Sequence, residues 1–299
     1  MKFLIKILFL FIFSVALNAR ASSILTNKEE PLEGKYYFTS YGHYFPFGYK
    51  AQTGDPNDLF SSVFKDALSS LEKKQGLAFA YKYFDNVTDA VIDMKTGNTQ
   101  VFLGAFYATD SFSDFDFIFP AILNNPIHLM MLPSRITEVK KIDDLKNLRG
   151  AYLQNEMFSD YMMGVFSNLS LLPFEDPDEA YRKLLIGEID FVLGSYYYQY
   201  PLILERGLQD YVTFSSKPLW NMPMFIALSK RIANKKNFEE HFRKLLASGV
   251  YKEKVLEHIK QRIKEKEEAY AGVVPPMYSK PQTENDLTPA DERLKEKQQ

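Results

Sequence analysis

Side chains that could act as catalysts are few in this chain of 299 residues, which has four histidines and no cysteine. No two histidines have the spacing of a metal-binding pair such as His-x-x-x-His. Ser134, Ser159 and Ser195 have no base placed beside them in a known nucleophile motif. Asp114 and Asp116 form a carboxylate pair that acid–base chemistry would need. Because nothing else supports that reading, the sequence predicts no enzyme active site, no metal site and no cofactor.

Aromatic residues are the more informative set, because 25 Phe and 19 Tyr accompany a single Trp. They gather after predicted strands, at 41–47, 106–112 and 196–198. Rings offer flat apolar faces and tyrosine adds a hydroxyl group, so such positions suit a sugar-like, ring-bearing or cationic ligand. The alternative interpretation is that half of these rings belong to the hydrophobic core. The first candidates for ligand contact are Tyr44, Tyr196 and Trp220.

The elements that must position these residues alternate between strand and helix patterns. Residues 35–41 and 77–84 read as strands, and apolar residues at helical spacing between Asp55 and Gly76 predict a helix that joins them. A short helix and a buried strand at 101–103 follow. The order strand, helix, strand, helix, strand predicts an α/β layer with parallel pairing.

One of these units occurs twice. Residues 89–107 align without a gap on residues 179–197, so that Gly104 matches Gly194. The repeat predicts two similar α/β lobes, with chance similarity between ordinary units as the alternative. Ligands of open α/β sheets lie beyond the carboxyl ends of strands, and glycine there permits close approach to the backbone.

The first 21 residues have the features of a secretory signal peptide. Lys2 and Lys6 precede an apolar run at 7–15, and small residues stand at positions 19 and 21. The run is too short to span a bilayer of about 30 Å, although an uncleaved anchor is the alternative. We expect cleavage after Ala21, a monomer in the periplasm, and no insertion of the mature chain into the membrane. Lys+Arg 36 against Asp+Glu 38 leaves no positive excess for nucleic acid.

Four short stretches resemble the extracytoplasmic solute-binding proteins of family 3, which serve the uptake of polar amino acids. The resemblance covers about residues 33–260. Its four stretches are the aromatic-Pro-aromatic turn Tyr44–Phe47, Asp116-Phe117 followed by Pro120, Asp143–Gly150, and Leu184–Asp190.

The resemblance implies an α/β fold of the type II periplasmic-binding-protein architecture, with two lobes joined by two crossover segments and a ligand between them. Lobe 1 would comprise residues 22–125 and 214–272, and lobe 2 residues 126–213. The polar tail at 273–299 is expected to be disordered. Closure would be a hinge rotation about crossovers near 121–127 and 212–218.

Two departures from the family concern the amino-acid clamp. The family's arginine for the ligand's α-carboxylate is replaced by Ser111, and its aspartate for the α-ammonium by Ser195. A buried carboxylate without a cation is costly, so we do not expect a free zwitterionic amino acid. Glu156 partly fills the helix N-terminus that would receive an anion, which disfavours anionic ligands. The predicted ligand-binding residues are Tyr44, Phe45, Gly104, Tyr107, Thr109, Ser111, Glu156, Met157, Ser195, Tyr196 and Trp220.

These observations predict a periplasmic protein that binds a small solute in an aromatic-lined cleft and delivers it to an inner-membrane ABC permease. The alternative is a sensor or interaction module of the same fold that takes no part in transport. Lytic transglycosylases and cyclohexadienyl dehydratases also use this fold. The former need an additional domain and the latter charged cleft residues, and the chain provides neither.

Overall fold

The computed structural model of the chain describes residues 34–42, 44–48, 59–107, 114–136, 139, 141–154, 156, 158 and 160–275. The predicted signal peptide, most of the predicted tail and three predicted site residues, Thr109, Ser111 and Met157, lie outside this part of the chain. Within it, no helix combines the length and the apolar content that crossing a membrane requires.

The described part folds into nine strands and seven α-helices. The strands are β1 (Lys35–Thr39), β2 (Ala78–Tyr81), β3 (Val101–Phe106), β4 (Phe115–Met131), β5 (Arg149–Leu153), β6 (Ser170–Phe174), β7 (Phe191–Ser195), β8 (Thr213–Phe214) and β9 (Trp220–Ser229). The helices are α1 (Leu59–Gln75), α2 (Val87–Thr96), α3 (Asp160–Phe166), α4 (Pro177–Leu185), α5 (Tyr196–Glu205), α6 (Lys235–Ala247) and α7 (Val250–Ala269), and a 3-10 turn covers Ile142–Leu145. The predicted α/β class is confirmed.

The strands form one sheet with the order β2-β1-β3-β9-β4-β7-β5-β6, and β8 pairs with β4. The two halves of this order have the same pattern of pairing, run in opposite directions from the centre. In the first half β1 pairs in parallel with β2 and β3, and β3 pairs antiparallel with β9. In the second half β5 pairs in parallel with β6 and β7, and β7 pairs antiparallel with β4. The two halves meet where β4 and β9 pair. The halves are therefore two copies of one arrangement, which are the two lobes of the fold.

The sequence repeat corresponds to this structural repeat. In the first half α2 ends at Gly97, whose φ is 83°, and the chain continues into β3. In the second half Gly187, with φ 75°, separates α4 from β7. Both glycines adopt the left-handed conformation that other residues avoid, which explains why the two stops carry the same residue.

Strand β4 is longer than the sequence predicts. The apolar run that starts at Pro126 predicts a strand at 126–132, whereas β4 begins at Phe115 and runs to Met131. Its pairing with β9 is interrupted between Ile118 and Leu123, and it then continues alongside both β9 and β7. Pro120 falls within the interruption, where the strand has no ladder hydrogen bond to lose, whereas Asn124, Asn125 and Pro126 pair in register with β9.

Helix α7 contacts both halves of the fold. Near its start, Tyr251 stacks on Phe64 of α1 with ring centroids 5.2 Å apart. Near its end, the ammonium of Lys266 pairs with Glu205 of α5. A helix of 20 residues is about 30 Å long, which is enough to connect the lobes along one side.

Candidate ligand-binding site

A group of buried polar side chains lies where the two halves of the sheet meet. It comprises Tyr44, Asn125, Glu156, Ser195 and Gln199, and we call it the polar cluster; each of its members is at most 3% exposed. The Ser195 hydroxyl donates to Oδ1 of Asn125 at 2.6 Å, and the Asn125 amide donates to the Tyr44 hydroxyl at 3.4 Å. Tyr44 follows β1 and Glu156 follows β5, so the cluster joins the first lobe to the second.

Serine 195 and its neighbouring glycine position the acid of the cluster. The backbone N–H of Ser195 donates to Oε2 of Glu156 at 2.6 Å, and the side-chain amide of Gln199 donates to Oε1. Ser195 also begins α5, because its hydroxyl oxygen accepts from the N–H of Tyr198 at 3.4 Å. A Cβ at Gly194 would lie 2.1 Å from Oε1 of Glu156, so a larger residue there would force the carboxyl group out of its present position.

The carboxyl group of Glu156 is in an unusual electrostatic environment. Burial raises its pKa to about 8, although the hydrogen bonds from Ser195 and Gln199 act in the opposite direction. In the described part of the chain, no lysine or arginine forms an ion pair with it, and its polar partners are the neutral groups named above. The group is therefore a buried acid that holds its proton at neutral pH, a state typical of functional sites.

Aromatic rings from both lobes close over this acid. Tyr44 stacks on Tyr198 of α5 with centroids 4.8 Å apart and planes at 11°. Phe47 meets Tyr197 edge-on at 6.1 Å. Burial raises the pKa of Tyr44 well above its ordinary value, and the charge that Glu156 carries once it has ionised raises it further, so the Tyr44 hydroxyl keeps its proton. The space between the lobes is occupied by the protein's own side chains in this conformation.

Three of the predicted contact residues come together in the polar cluster, namely Tyr44, Glu156 and Ser195. Others lie elsewhere. Gly104 has φ 85°, and a Cβ on it would be 2.2 Å from the ring of Phe60, so this glycine makes room for a core residue. This contact accounts for Gly104 without any ligand.

The remaining predicted aromatic contacts belong to other clusters. Tyr196 stacks on Tyr200 with centroids 5.1 Å apart and meets Phe214 of β8 edge-on at 5.1 Å. Phe45 is half-buried with the ammonium of Lys266 5.3 Å from its ring. Tyr107 is 37% exposed and packs on Phe117, Phe119 and Phe225. Trp220 begins β9 and lines a separate pocket, which lies between the second lobe and the predicted crossover at 212–218.

Sequence reasoning did not select Asn125 or Gln199, which complete the polar cluster. Both stand out in retrospect as polar residues within apolar surroundings, since Asn125 lies in strand β4 and Gln199 lies among the aromatic residues of α5. Tyr198 was among the noted aromatic residues but not among the predicted contacts. A buried amide within an apolar element needs a partner, and that requirement was the available signal.

The acid of the family-like stretch Leu184–Asp190 has a structural role. Burial alone would raise the pKa of Asp190, but hydrogen bonds from Arg149 and Arg135 outweigh it and lower the pKa to about 2. Asp190 directly precedes β7, whereas Ser195 ends that strand, so the ion pairs lie at the opposite end from the polar cluster.

No protein-family model matches the chain, and no curated protein matches its sequence. Solved structures match its fold. The amino acid ABC transporter substrate-binding protein AbpA from Streptococcus pneumoniae, bound to L-arginine, has a TM-score of 0.56 and 14% identity, covering 78% of this chain and 96% of that one. The periplasmic VFT2 domain of Bordetella pertussis BvgS has a TM-score of 0.56 and 14% identity, with coverages of 81% and 97%. A histidine kinase sensor domain with similarity to periplasmic binding proteins has a TM-score of 0.55 and 14% identity, with coverages of 81% and 98%.

These similarities establish the fold. The chain has the two-lobe α/β architecture of type II periplasmic binding proteins, as the sequence predicts. The polar cluster lies between the lobes of that architecture, which is where open α/β folds place their ligands.

Proposed function

We propose that this protein is a periplasmic solute-binding protein, related to family 3, that closes on a small solute carrying a cationic group and delivers it to an inner-membrane ABC transporter. The observation that carries the proposal is Glu156, a buried carboxyl group between the lobes with no cationic partner among the described residues. A cationic ligand would supply the counter-charge that the ionised form of this group lacks.

The electrostatics favour a cation over other ligands. An ammonium or guanidinium group placed beside Glu156 would stabilise the ionised carboxylate and so reverse the effect of burial on its pKa. The faces of Tyr44 and Tyr198 would contribute cation–π attraction once they separate. An anionic ligand would gain none of these interactions and would be repelled whenever Glu156 ionises.

The connectivity supports a hinge. Tyr44 comes from the first lobe and Ser195 from the second, so a ligand held by the polar cluster contacts both lobes at once. A ligand that contacts both lobes favours the closed arrangement, because it binds that arrangement more tightly than the open one.

The proposal includes the lobe limits at residues 22–125, 126–213 and 214–272. It also includes export of the protein by the signal peptide at 1–21.

Thermal unfolding with a panel of solutes tests the proposal. The panel contains arginine, putrescine and choline as cations, glucose as a neutral solute and glutamate as an anion. At roughly 100-fold excess over the dissociation constant, a bound ligand should add about 2.7 kcal/mol of stability. We expect at least one cation to raise the melting temperature, and E156Q to remove that rise.

The matched control is E175Q, because Glu175 is an exposed acid in the same lobe. E175Q should respond to the cation as the native protein does. Stabilisation by glucose alone, unaffected by E156Q, would reject the cationic class while keeping solute binding. No stabilisation by any solute class would reject the binding function.

A sensor role is the second candidate, and the stack of Tyr44 on Tyr198 favours it. That stack joins the two lobes directly through the protein's own side chains, which suits a module that signals through the relative position of its lobes. Two of the similar structures above are named as a sensor domain and as a periplasmic domain of BvgS. Crosslinking in cells, followed by mass spectrometry, separates the candidates. A permease and its ATPase would support transport, and a membrane signalling protein would support sensing.

A further inference from the structure

A pocket lies between the second lobe and the predicted crossover at 212–218. It has a volume of about 900 Å³ and is bounded by the end of β4, the 3-10 turn, α3 and the segment that joins β8 to β9. None of the residues of the polar cluster lines it. Small-molecule sites in proteins have volumes of roughly 300–1,000 Å³, so the pocket is large enough for a ligand.

The walls of this pocket are apolar. Ile136, Ile142, Val165, Phe214 and Trp220 line it, and each of these side chains is only half-buried. Apolar side chains that face an open pocket gain free energy when an apolar ligand removes them from water. The pocket therefore favours an occupant with an apolar body.

The rim of the pocket is basic. Lys141 and Lys217 both line it and are exposed, and no acid occurs among its described lining residues. Two acids follow Lys141 in the chain. The hydrogen bond from Lys146 lowers the pKa of Asp143, and the charge of Lys141 contributes to the same shift. Asp143 pairs with Lys146 at 2.7 Å, and Asp144 accepts a hydrogen bond from the backbone N–H of Lys141 at 3.0 Å. The two ammonium groups are thus placed to receive an anion at the mouth of an apolar pocket.

From this combination we infer that the pocket is a second binding site, which takes a small organic anion with an apolar body, the chemistry of a medium-chain carboxylate. The carboxylate lies between Lys141 and Lys217, and the chain lies against Phe214 and Trp220. The inference does not depend on the function proposed for the polar cluster, because the two sites share no residue.

Trp220 provides a direct readout, because it is the single tryptophan of the chain and it lines the pocket. The experiment excites tryptophan selectively and titrates the full-length mature protein with decanoate below its micelle concentration. Decanol tests the apolar chain without the charge, decyltrimethylammonium reverses the charge, and inorganic phosphate supplies an anion without the chain. We expect a saturable change of emission with decanoate, a weaker response to decanol, and none to the other two probes.

Removal of the two charges tests the rim. The double variant K141Q/K217Q should weaken decanoate binding about fivefold to tenfold, since each exposed charge contact contributes modestly, and it should leave the response to decanol unchanged. K65Q is the matched control, because Lys65 is an exposed lysine on α1 in the other lobe. E156Q should bind decanoate as the native protein does, which separates this inference from the function proposed above.

Three outcomes would overturn the inference. The first is the absence of any saturable emission change with decanoate. The second is equal binding of decanoate by the native protein and the double variant. The third is a fall of the melting temperature with decanoate, because that indicates detergent action in place of binding to the folded state.

Discussion

Folding stability should fall as the pH rises through the neutral range, and Glu156 should be responsible. The pKa of its carboxyl group is about 8 in the folded protein and close to 4.5 when the chain is unfolded. Between these values the unfolded chain has released the proton while the folded protein keeps it. Unfolding therefore becomes more favourable by about 1.4 kcal/mol for each pH unit.

The magnitude follows from the distance between the two pKa values. Over the whole interval the folded state should lose about 5 kcal/mol, with most of the loss between pH 5 and pH 8 and no further loss above it. For a chain of this length, such a change corresponds to a shift of the melting temperature on the order of 10 °C. Because the folded-state pKa is raised, the stabilising contribution is present at acidic pH and lost on the alkaline side.

The assay is calorimetric or optical melting of the native protein and of E156Q across this pH range. Glutamine keeps the shape of the side chain but does not titrate, so the two proteins should differ in slope. The comparison also cancels His128, whose pKa is lowered by burial and whose titration changes stability in the opposite direction. A slope that is the same in both proteins, or no slope in the native protein, would refute the reasoning.

Three further predictions test other parts of the structure. Gly104→Ala should cost about 2–4 kcal/mol in unfolding experiments, because of its positive φ and the clash it creates, whereas Gly164→Ala, with no neighbouring atom, should not destabilise. Asp190→Asn should cost about 2 kcal/mol at neutral pH, and the difference should vanish as the pH falls towards 2 in acid titrations. Lys266→Met removes the ion pair with Glu205 and should increase hydrogen exchange at the end of α7; unchanged exchange would show that this end does not link the lobes.

The repeated arrangement of the two lobes could be predicted from the sequence, because each copy is a continuous segment with the same order of helix, glycine and strand. The helix, the glycine that ends it and the short strand before Gly104 recur before Gly194. The two strands have equivalent partners in the sheet, since β3 pairs in parallel with β1 and β7 pairs in parallel with β5. Glycines at 97 and 187 adopt left-handed conformations that few other residues tolerate, so their spacing was a reliable signal.

The site was harder to predict because its contacts join distant parts of the chain. Glu156 and Ser195 are 39 residues apart, and Asn125 and Tyr44 are 81 apart. The periodicity of helices and strands relates only residues that are a few positions apart, so it cannot indicate contacts of this kind. The aromatic residues are hard to assign for a related reason: a tyrosine after a strand can join the polar cluster, as Tyr44 does, or pack against the rings of Tyr200 and Phe214, as Tyr196 does. The difference depends on the orientation of α5, which the sequence does not encode locally.

The stack of Tyr44 on Tyr198 and the raised pKa of Glu156 have a joint consequence for binding. A cation can reach the carboxyl group only when Tyr44 and Tyr198 separate, so the ligand must provide more free energy than the stack it disrupts, about 1 kcal/mol beyond simple burial. Once bound, the cation lowers the pKa of Glu156, and the proton held at neutral pH leaves. Binding should therefore release close to one proton per ligand below pH 8 and tighten as the pH rises. Calorimetric titrations in two buffers of different ionisation enthalpy measure that number, and a value of zero would mean that the ligand does not contact Glu156.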